Sequence, residues 1–318
     1  MRKEKRNLTR KEFIKTSSKA AMATGIIAGT PLTILASSGK HLHSTNLSGT
    51  GELATSTLGN TGIKMTKLGV GAPRIQEPSV LRYALDQGIT FIDTGRGYAN
   101  GKNEIMVGEA IKGKRKDFTI QSKMRINPNL EGEKLKSEST SRKIHEIINK
   151  TLEESLKALQ TDYIDVMLFH NGSDSEFLYH EATMEAFAKA KKEGKILACG
   201  FSAHINQVEL TRQHNDHPFY DVMMLAFNPH GGYIKPNVRD YSWDQEALIA
   251  ELTKATDAGT GIIAMKTCLG GPYCCEGDSE KTFPGAVKWI LAQPYVHTSA
   301  VAMANFQQID EHLAVHKS

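Results

Sequence analysis

From Lys67 onward, short apolar runs alternate with longer stretches in which apolar positions recur every three or four residues. The runs are Lys67–Ala72, Ile89–Thr94, Phe118–Lys123, Tyr163–His170, Ile196–Ala203, Asp221–Asn228, Gly261–Thr267 and Thr298–Asn305. Runs of that length, rich in β-branched residues, read as buried strands. The intervals read as helices. In Ser139–Gln160, residues Ile144, Ile147, Ile148, Leu152, Leu156 and Leu159 share one face, with Lys and Glu on the other. Glu176–Glu193 has a similar pattern and closes on Lys191, Lys192 and then Gly194, a common helix stop. Pro78–Gln87, Asn103–Lys112, Asn206–His214, Gln245–Ala258, Phe283–Ala292 and Phe306–His316 complete the set. Ahead of them, Ser56–Thr66 reads as two short strands around an Asn60-Thr61-Gly62 turn. Strand and helix alternating eight times predict a (β/α)8 TIM barrel with an N-terminal β-hairpin. A doubly wound open sheet is the alternative. It is weakened because no G-x-G-x-x-G follows the first strand.

Size and charge refine this picture. The 318 residues suit one α/β barrel, and a core of that size needs no disulfide or metal staple. The net charge of +4 misleads, because residues 1–38 hold eight basic and two acidic side chains. The remainder holds 31 basic against 33 acidic residues, which gives no nucleic-acid footprint. The basic start precedes a weakly apolar stretch, Ala20–Ala36, that ends in small residues, as an export signal would. That stretch is too polar to anchor well in a membrane. Thr9-Arg10-Lys11-Glu12-Phe13-Ile14-Lys15 resembles a twin-arginine signal with Lys11 in place of the second arginine, and an ordinary secretory signal is the other reading. The expected organisation is an export signal over 1–38, a Ser/Thr/Gly-rich flexible linker over 39–54, and the barrel over 55–318. The export machinery would then be a partner, the periplasm the destination, and no stable membrane anchor would remain after cleavage. Cys199 lies in an apolar run as a small core residue. Cys268, Cys274 and Cys275 lack metal-ligand spacing, and a disulfide among them stays open.

The candidate chemistry sits in the second, third and fourth strand runs and the loops that follow them. They carry Asp93 with Tyr98, Lys123 and His170 respectively. Singly, an Asp caps a turn, a Tyr or Lys faces solvent, and a His satisfies itself locally. In a parallel barrel, however, the C-terminal strand ends converge. A free tyrosine titrates near pH 10, so it is a poor acid at neutral pH. A buried ammonium beside it favours the phenolate, which predicts a lowered pKa for Tyr98 beside Lys123. Asp93 would hold Lys123 charged, and His170 would hydrogen-bond the substrate oxygen or relay the proton. Tyr98 would then act as general acid or base. None of these side chains supplies two electrons, so a hydride carrier is required.

From Leu58 onward the chain resembles the aldo–keto reductase family. Leu58-Gly59-Asn60-Thr61-Gly62 resembles its opening hairpin, and Asp93-Thr94…Tyr98 with Glu104 resembles its Asp-Thr-Ala-x-x-Tyr-Gly motif and following Glu. Lys123, His170 and Gly200-Phe201-Ser202 fall where that family's Lys, His and Gly-x-Ser-Asn fall. The resemblance implies a barrel, an extended NAD or NADP across its C-terminal rim, and reversible carbonyl reduction. It also implies cofactor contacts from Ser202, from Phe227 stacking on the nicotinamide, from Lys266, Thr267, Leu269 and Gly270 near the pyrophosphate, and from Asn305 and Gln308 near adenosine. Ala203 and Met224 stand where carboxamide-holding Asn and Gln are usual, and Gly95, Arg96 and Ala99 depart from the tyrosine motif. No Lys or Arg stands by Asn305 to pair a 2′-phosphate, so NAD and NADP both stay open. The family's long C-terminal substrate loop is absent, which predicts an open site.

For the substrate, Arg96 is either an exposed loop residue or a clamp on a carboxylate or sugar hydroxyls. His204 and His230 either line the mouth or are loop residues, and no metal is expected. The leading expectation is an NAD(P)-dependent oxidoreductase for a small carbonyl, alcohol or sugar, with the cofactor held tightly if the protein works outside the cytoplasm. A cofactor-binding regulatory or binding subunit with little turnover is the alternative. A barrel hydrolase ranks last, because only Asp93 stands out as a strand-end carboxylate.

Overall fold

The computed structural model describes residues 52–126, 137–173, 175–233, 241–267 and 282–317. The export signal, all but the last three residues of the linker, and Cys268, Leu269, Gly270, Cys274 and Cys275 lie outside the described residues. Two strands, β1 (Thr55–Thr57) and β2 (Lys64–Thr66), form the antiparallel hairpin. Barrel strands follow: β3 (Leu68–Gly71), β4 (Phe91–Asp93), β5 (Thr119–Met124), β6 (Ile164–Phe169), β7 (Ile196–Ala203) and β8 (Val222–Ala226). A small antiparallel pair, β9 (Gly232–Tyr233) and β10 (Tyr241–Ser242), precedes the last two barrel strands, β11 (Gly261–Met265) and β12 (Thr298–Ala302). The eight parallel strands close in the order β3-β4-β5-β6-β7-β8-β11-β12, with β12 returning to β3.

The helices are α1 (Pro78–Asp86), α2 (Lys102–Ala110), α3 (Glu138–Leu159), α4 (Ser175–Leu178), α5 (Glu181–Lys192), α6 (Gln207–Asp216), α7 (Gln245–Asp257), α8 (Thr282–Leu291) and α9 (Phe306–Lys317). In α3 the apolar stripe Ile144, Ile148, Leu152, Leu156 and Leu159 is buried. Ser137 caps its first turn by accepting from the Thr140 N–H, and Gln160 ends it in a left-handed conformation. The single helix expected over Glu176–Glu193 is two. The Tyr220 hydroxyl donates to the carbonyl of Leu178, and the His180 ring accepts from the Ala182 N–H as a new N-cap. Both contacts end one helix and begin another, and both come from outside the apolar period. At the linker's end, the Ala54 carbonyl accepts from the Lys67 N–H at 2.8 Å and Leu53 packs on the main core.

Period-two alternation decides which residues enter the barrel. Phe91, Val166, Leu168, Ala198, Val222, Met224, Ile263, Met265 and Ala300 form an inner core with Leu58, Ile63 and Met65 of the hairpin. The alternate positions, such as Ile92, Ile120, Met167, Cys199 and Met223, belong to the layer beneath the helices. Gly69 leaves room for the Phe91 ring, which a Cβ there would strike. The hairpin closes the N-terminal end: Asn60 N–H donates to Gly259 at 2.8 Å and Thr119 Oγ1 donates to Lys64 at 3.0 Å. The opposite end is left for polar groups. Among the described residues no helix is long and apolar enough to cross a membrane.

Candidate active site

Strand β5 presents Thr119, Gln121 and Lys123 inward, one polar side chain every second residue, in a strand buried throughout. Register sets Gln121 beside Asp93, the last residue of β4. Lys123 Nζ donates to Asp93 Oδ1 and, at 2.8 Å, to the carbonyl of Thr94. Gln121 Nε2 donates to the same Asp93 oxygen at 2.6 Å and approaches Met224 Sδ at 3.1 Å. Both Lys123 and Asp93 are buried, so the ion pair stands in low dielectric and each charge depends on the other. Burial alone would drive the Lys123 ammonium pKa down. The carboxylate of Asp93, with Tyr98, outweighs burial and holds it above the ordinary lysine value.

Past β4 the chain turns back, with Arg96 N–H donating to the Lys123 carbonyl at 2.9 Å and Tyr98 N–H to Gly95 at 3.0 Å. That return lays the Tyr98 ring 5.0 Å from Lys123 Nζ. His170, following β6, meets the same ring edge-on at 5.5 Å. The expected four residues therefore meet at one end of the barrel. The expected fall in the Tyr98 pKa does not occur in this state. Burial raises it, Lys123 pulls it back down, and the net direction is upward. His170 is pushed down to about 3 by burial and then by the positive charges of Lys123 and its neighbours. It is a neutral imidazole near neutral pH, and its buried Nδ1 has no hydrogen-bond partner. A relay through imidazolium is thus disfavoured, whereas hydrogen bonding to a ligand oxygen is open to it.

The remaining candidates divide. Ser202 is fully buried on the inner face of β7, its Oγ accepting from Asn171 N–H at 3.0 Å. His204 lies close enough to contribute to the depression of His170, as does Lys266, whose φ is 60°. Thr267 is buried beside it. His230 is half-buried in the loop after β8, its N–H on Asn228 Oδ1 at 2.9 Å. Asn305 Oδ1 accepts from Gln308 N–H at 3.0 Å, and Gln308 Oε1 accepts from Ala304 N–H at 2.6 Å. These two side chains cap α9 reciprocally, leaving their amide N–H groups for a ligand.

Two expectations are corrected. Phe227 does not face the mouth. Met224 points inward, so three residues later the chain points outward, and Phe227 is buried against Trp289 at 5.4 Å and Tyr295 at 5.8 Å. Arg96 is engaged within the protein rather than free at the mouth. Its Nη1 pairs with Glu104 Oε2 at 2.8 Å and donates to the Glu154 carbonyl at 3.2 Å.

Sequence reasoning passed over Gln121, Asn103 and Asn228. The alternation Thr119, Gln121, Lys123 was the available signal for the first. Asn103 accepts from Thr94 Oγ1 at 2.7 Å and donates to Ala72 at 2.8 Å, tying the loops after β3 and β4. Asn228 donates to Gly232 at 2.8 Å and Lys266 at 3.0 Å, tying those after β8 and β11. Neither has a local signature. Among the described residues no group of His, Cys, Asp and Glu is arranged to hold a metal ion.

Comparison with known proteins bears on this geometry. Residues 67–273 match the model of the aldo/keto reductase family. Aldo-keto reductase YhdN of Bacillus subtilis is 33% identical over 159 residues, 46% of each chain. The chain matches about half the length of such curated relatives. Among solved structures, the holo form of aldo-keto reductase AKR11C1 from Bacillus halodurans superposes with a TM-score of 0.64 at 19% identity, covering 84% of this chain and 92% of that one. An aldo/keto reductase from Klebsiella pneumoniae, solved with NADP and acetate, gives 0.60 at 21% identity over 83% and 90%.

Proposed function

The chain belongs to the aldo/keto reductase family, and from that premise we propose that it is an NAD(P)-dependent oxidoreductase interconverting a small carbonyl compound and its alcohol, with Tyr98 as the proton donor and acceptor. The observation that carries this reading is the Lys123 ammonium, fixed by Asp93 and the Thr94 carbonyl, lying against the Tyr98 ring with neutral His170 across from it.

A nicotinamide dinucleotide fits the residues present. Gln121 Oε1, a buried acceptor without a partner, lies in the barrel beside the inward-facing Met224, and the buried Nδ1 of His170 is also without a partner. A planar amide-bearing ring suits such a mixture of apolar wall and unmet polar atoms. When bound, that group supplies the hydride. Ser202, Lys266, Thr267, Asn305 and Gln308 are the described residues that would hold it, and the N-terminus of α9 favours anionic groups. His170 orients the substrate oxygen by a neutral hydrogen bond. Tyr98 gives its phenolic proton to that oxygen as the carbonyl carbon becomes tetrahedral. The phenolate left behind is stabilised by Lys123, which Asp93 keeps protonated and in place. In oxidation the same phenolate takes the hydroxyl proton.

The upward direction of the Tyr98 pKa favours a second reading, a cofactor-binding subunit with little turnover. The deciding experiment takes the purified full chain, determines its nicotinamide content after denaturation, and follows oxidation of NADPH and of NADH with methylglyoxal and a panel of aldehydes and sugars. Turnover that Tyr98→Phe reduces by about 10²- to 10⁴-fold supports the enzyme. Bound dinucleotide without turnover supports the subunit. Neither binding nor turnover overturns both. The basic leader Arg2–Lys19 supports export by a twin-arginine-type route, tested by fusing residues 1–54 to a reporter that is active only after export in the folded state.

A further inference from the structure

Tyr98 is followed by three residues in the left-handed region, Ala99 at φ 49°, Asn100 at 53° and Gly101 at 84°. Two of them carry a Cβ. Such conformations persist only where the surroundings over-determine them. The side chain lying on this turn is Arg96. A Cβ at Gly101 would collide with its guanidinium before anything else. That guanidinium is itself held through Nη1, which pairs with Glu104 at 2.8 Å and donates to the Glu154 carbonyl of α3 at 3.2 Å. Glu104 is fully buried on α2, and its other oxygen accepts from Ser122 Oγ at 2.5 Å. Ser122 is the outward-facing neighbour of Lys123. A continuous polar chain, Arg96–Glu104–Ser122, therefore runs outside the barrel from the loop that carries the proton donor to the strand that carries the ammonium.

The geometry points to Arg96 as a positioning residue for Tyr98: it pins the strained turn Ala99–Gly101 and so sets the approach of the phenol to Lys123. This rests on the oxidoreductase reading for its consequence in rate, but not for its consequence in structure. Arg96 touches no reacting atom. Removing it leaves Lys123, Asp93 and His170 with their own contacts, and releases the loop. A misplacement of about 1 Å at a reacting group costs on the order of 10²-fold in rate.

The test compares the full chain with Arg96→Met, Arg96→Lys and Gly101→Ala, using methylglyoxal and NADPH as probes and amide hydrogen exchange as an activity-independent readout. For Arg96→Met, kcat is expected to fall about 10- to 100-fold while KM for NADPH stays within about twofold. Amide exchange at 98–102 is expected to accelerate at least about tenfold. Arg96→Lys, which keeps a cation for Glu104, recovers part of both. Gly101→Ala displaces the guanidinium and adds the strain of a Cβ at φ 84°, so it loses at least as much as Arg96→Met, and the double variant is no slower than Gly101→Ala alone. Wild-type exchange and kcat in Arg96→Met, or rate losses that multiply in the double variant, would overturn the proposal. If Arg96→Met does not fold, Arg96→Lys decides by exchange at the same amides. If the wild type turns nothing over, the oxidoreductase reading fails, and exchange still decides the role of Arg96.

Discussion

The two ends of the barrel solve opposite problems with the same strands. At the N-terminal end the turns that lead from helices into strands place glycine at most positive-φ positions, Gly88, Gly113, Gly194 and Gly259, with Gln160 the exception ahead of β6. At the C-terminal end, residues with side chains share that region with Gly101 and Gly231: Ala99 and Asn100 after β4, Asn171 after β6, Asn206 after β7 and Lys266 after β11. Among the described residues only one other non-glycine residue has positive φ, Gln160 at the C-cap of α3. The N-terminal end is also plugged by Leu58, Ile63 and Met65, whereas the C-terminal end buries the Lys123–Asp93 pair and polar atoms without partners, Gln121 Oε1 and His170 Nδ1 among them. The N-terminal end fills its centre with apolar side chains and largely buries the charged pair Arg115–Asp165 at the start of β6. The C-terminal end concentrates strained turns and unmet polar groups, and such loops are where a barrel keeps its chemistry.

Substitutions at the two ends sharpen this contrast. The largest separation is expected from Tyr98→Phe, which removes about 10²- to 10⁴-fold of kcat, equivalent to about 3–5 kcal/mol of barrel-mouth function, while the melting temperature is unchanged. Met65→Ala at the plug reverses the pattern. It should destabilise by about 2–5 kcal/mol in denaturant titration and leave kcat of the folded fraction intact. A large rate loss in Met65→Ala would break the division.

Acid titration should act through three buried imidazoles, of which His170 at the mouth is the most strongly depressed. His170 has a folded-state pKa of about 3 against an unfolded value near 6.5, so between those values the unfolded chain binds more protons. Stability is therefore expected to fall as pH drops from 6.5 towards 3, with His214 and His312, each depressed to about 4, adding to the slope. His170→Leu should flatten the curve, and an unchanged slope would show that the buried imidazole is not its source. Tyr98, raised above its ordinary 10.0, should keep carbonyl reduction flat through mildly basic pH, with alcohol oxidation rising over the same range.

The smallest effects come from the turns. Ala99→Gly relieves a strained position and should stabilise by about 0.5–1 kcal/mol, whereas Gly88→Ala, at φ +96°, should destabilise by about 1 kcal/mol or more. If both moved stability in the same direction, the asymmetry of strain between the ends would not hold.

Much of this was readable from the chain. All eight strands and the hairpin followed from apolar runs and turn residues, because a barrel strand buried on both faces must be apolar and short. Asp93, Lys123 and His170 stood out as ionisable groups at the ends of such runs. Phe227 was misread although its parity with Met224 was available, since the period of two sends them to opposite faces. The break between α4 and α5 was not readable, because the Tyr220 hydroxyl that ends α4 lies 42 residues away. Nor was the commitment of Arg96 to Glu104 and Glu154, which depends on how α2 and α3 pack.

Local pattern thus determined which elements form, the order in which they alternate, and which residue types stand at their ends, because helix and strand periods are written in neighbouring residues. Tertiary structure alone decided the sign of the Tyr98 shift, the neutrality of His170, the sharing of Asp93 between Lys123 and Gln121, and the direction of Arg96. Each of those depends on burial and on partners brought in by other strands and helices, and desolvation and Coulomb energies exist only once the barrel has closed around the charges.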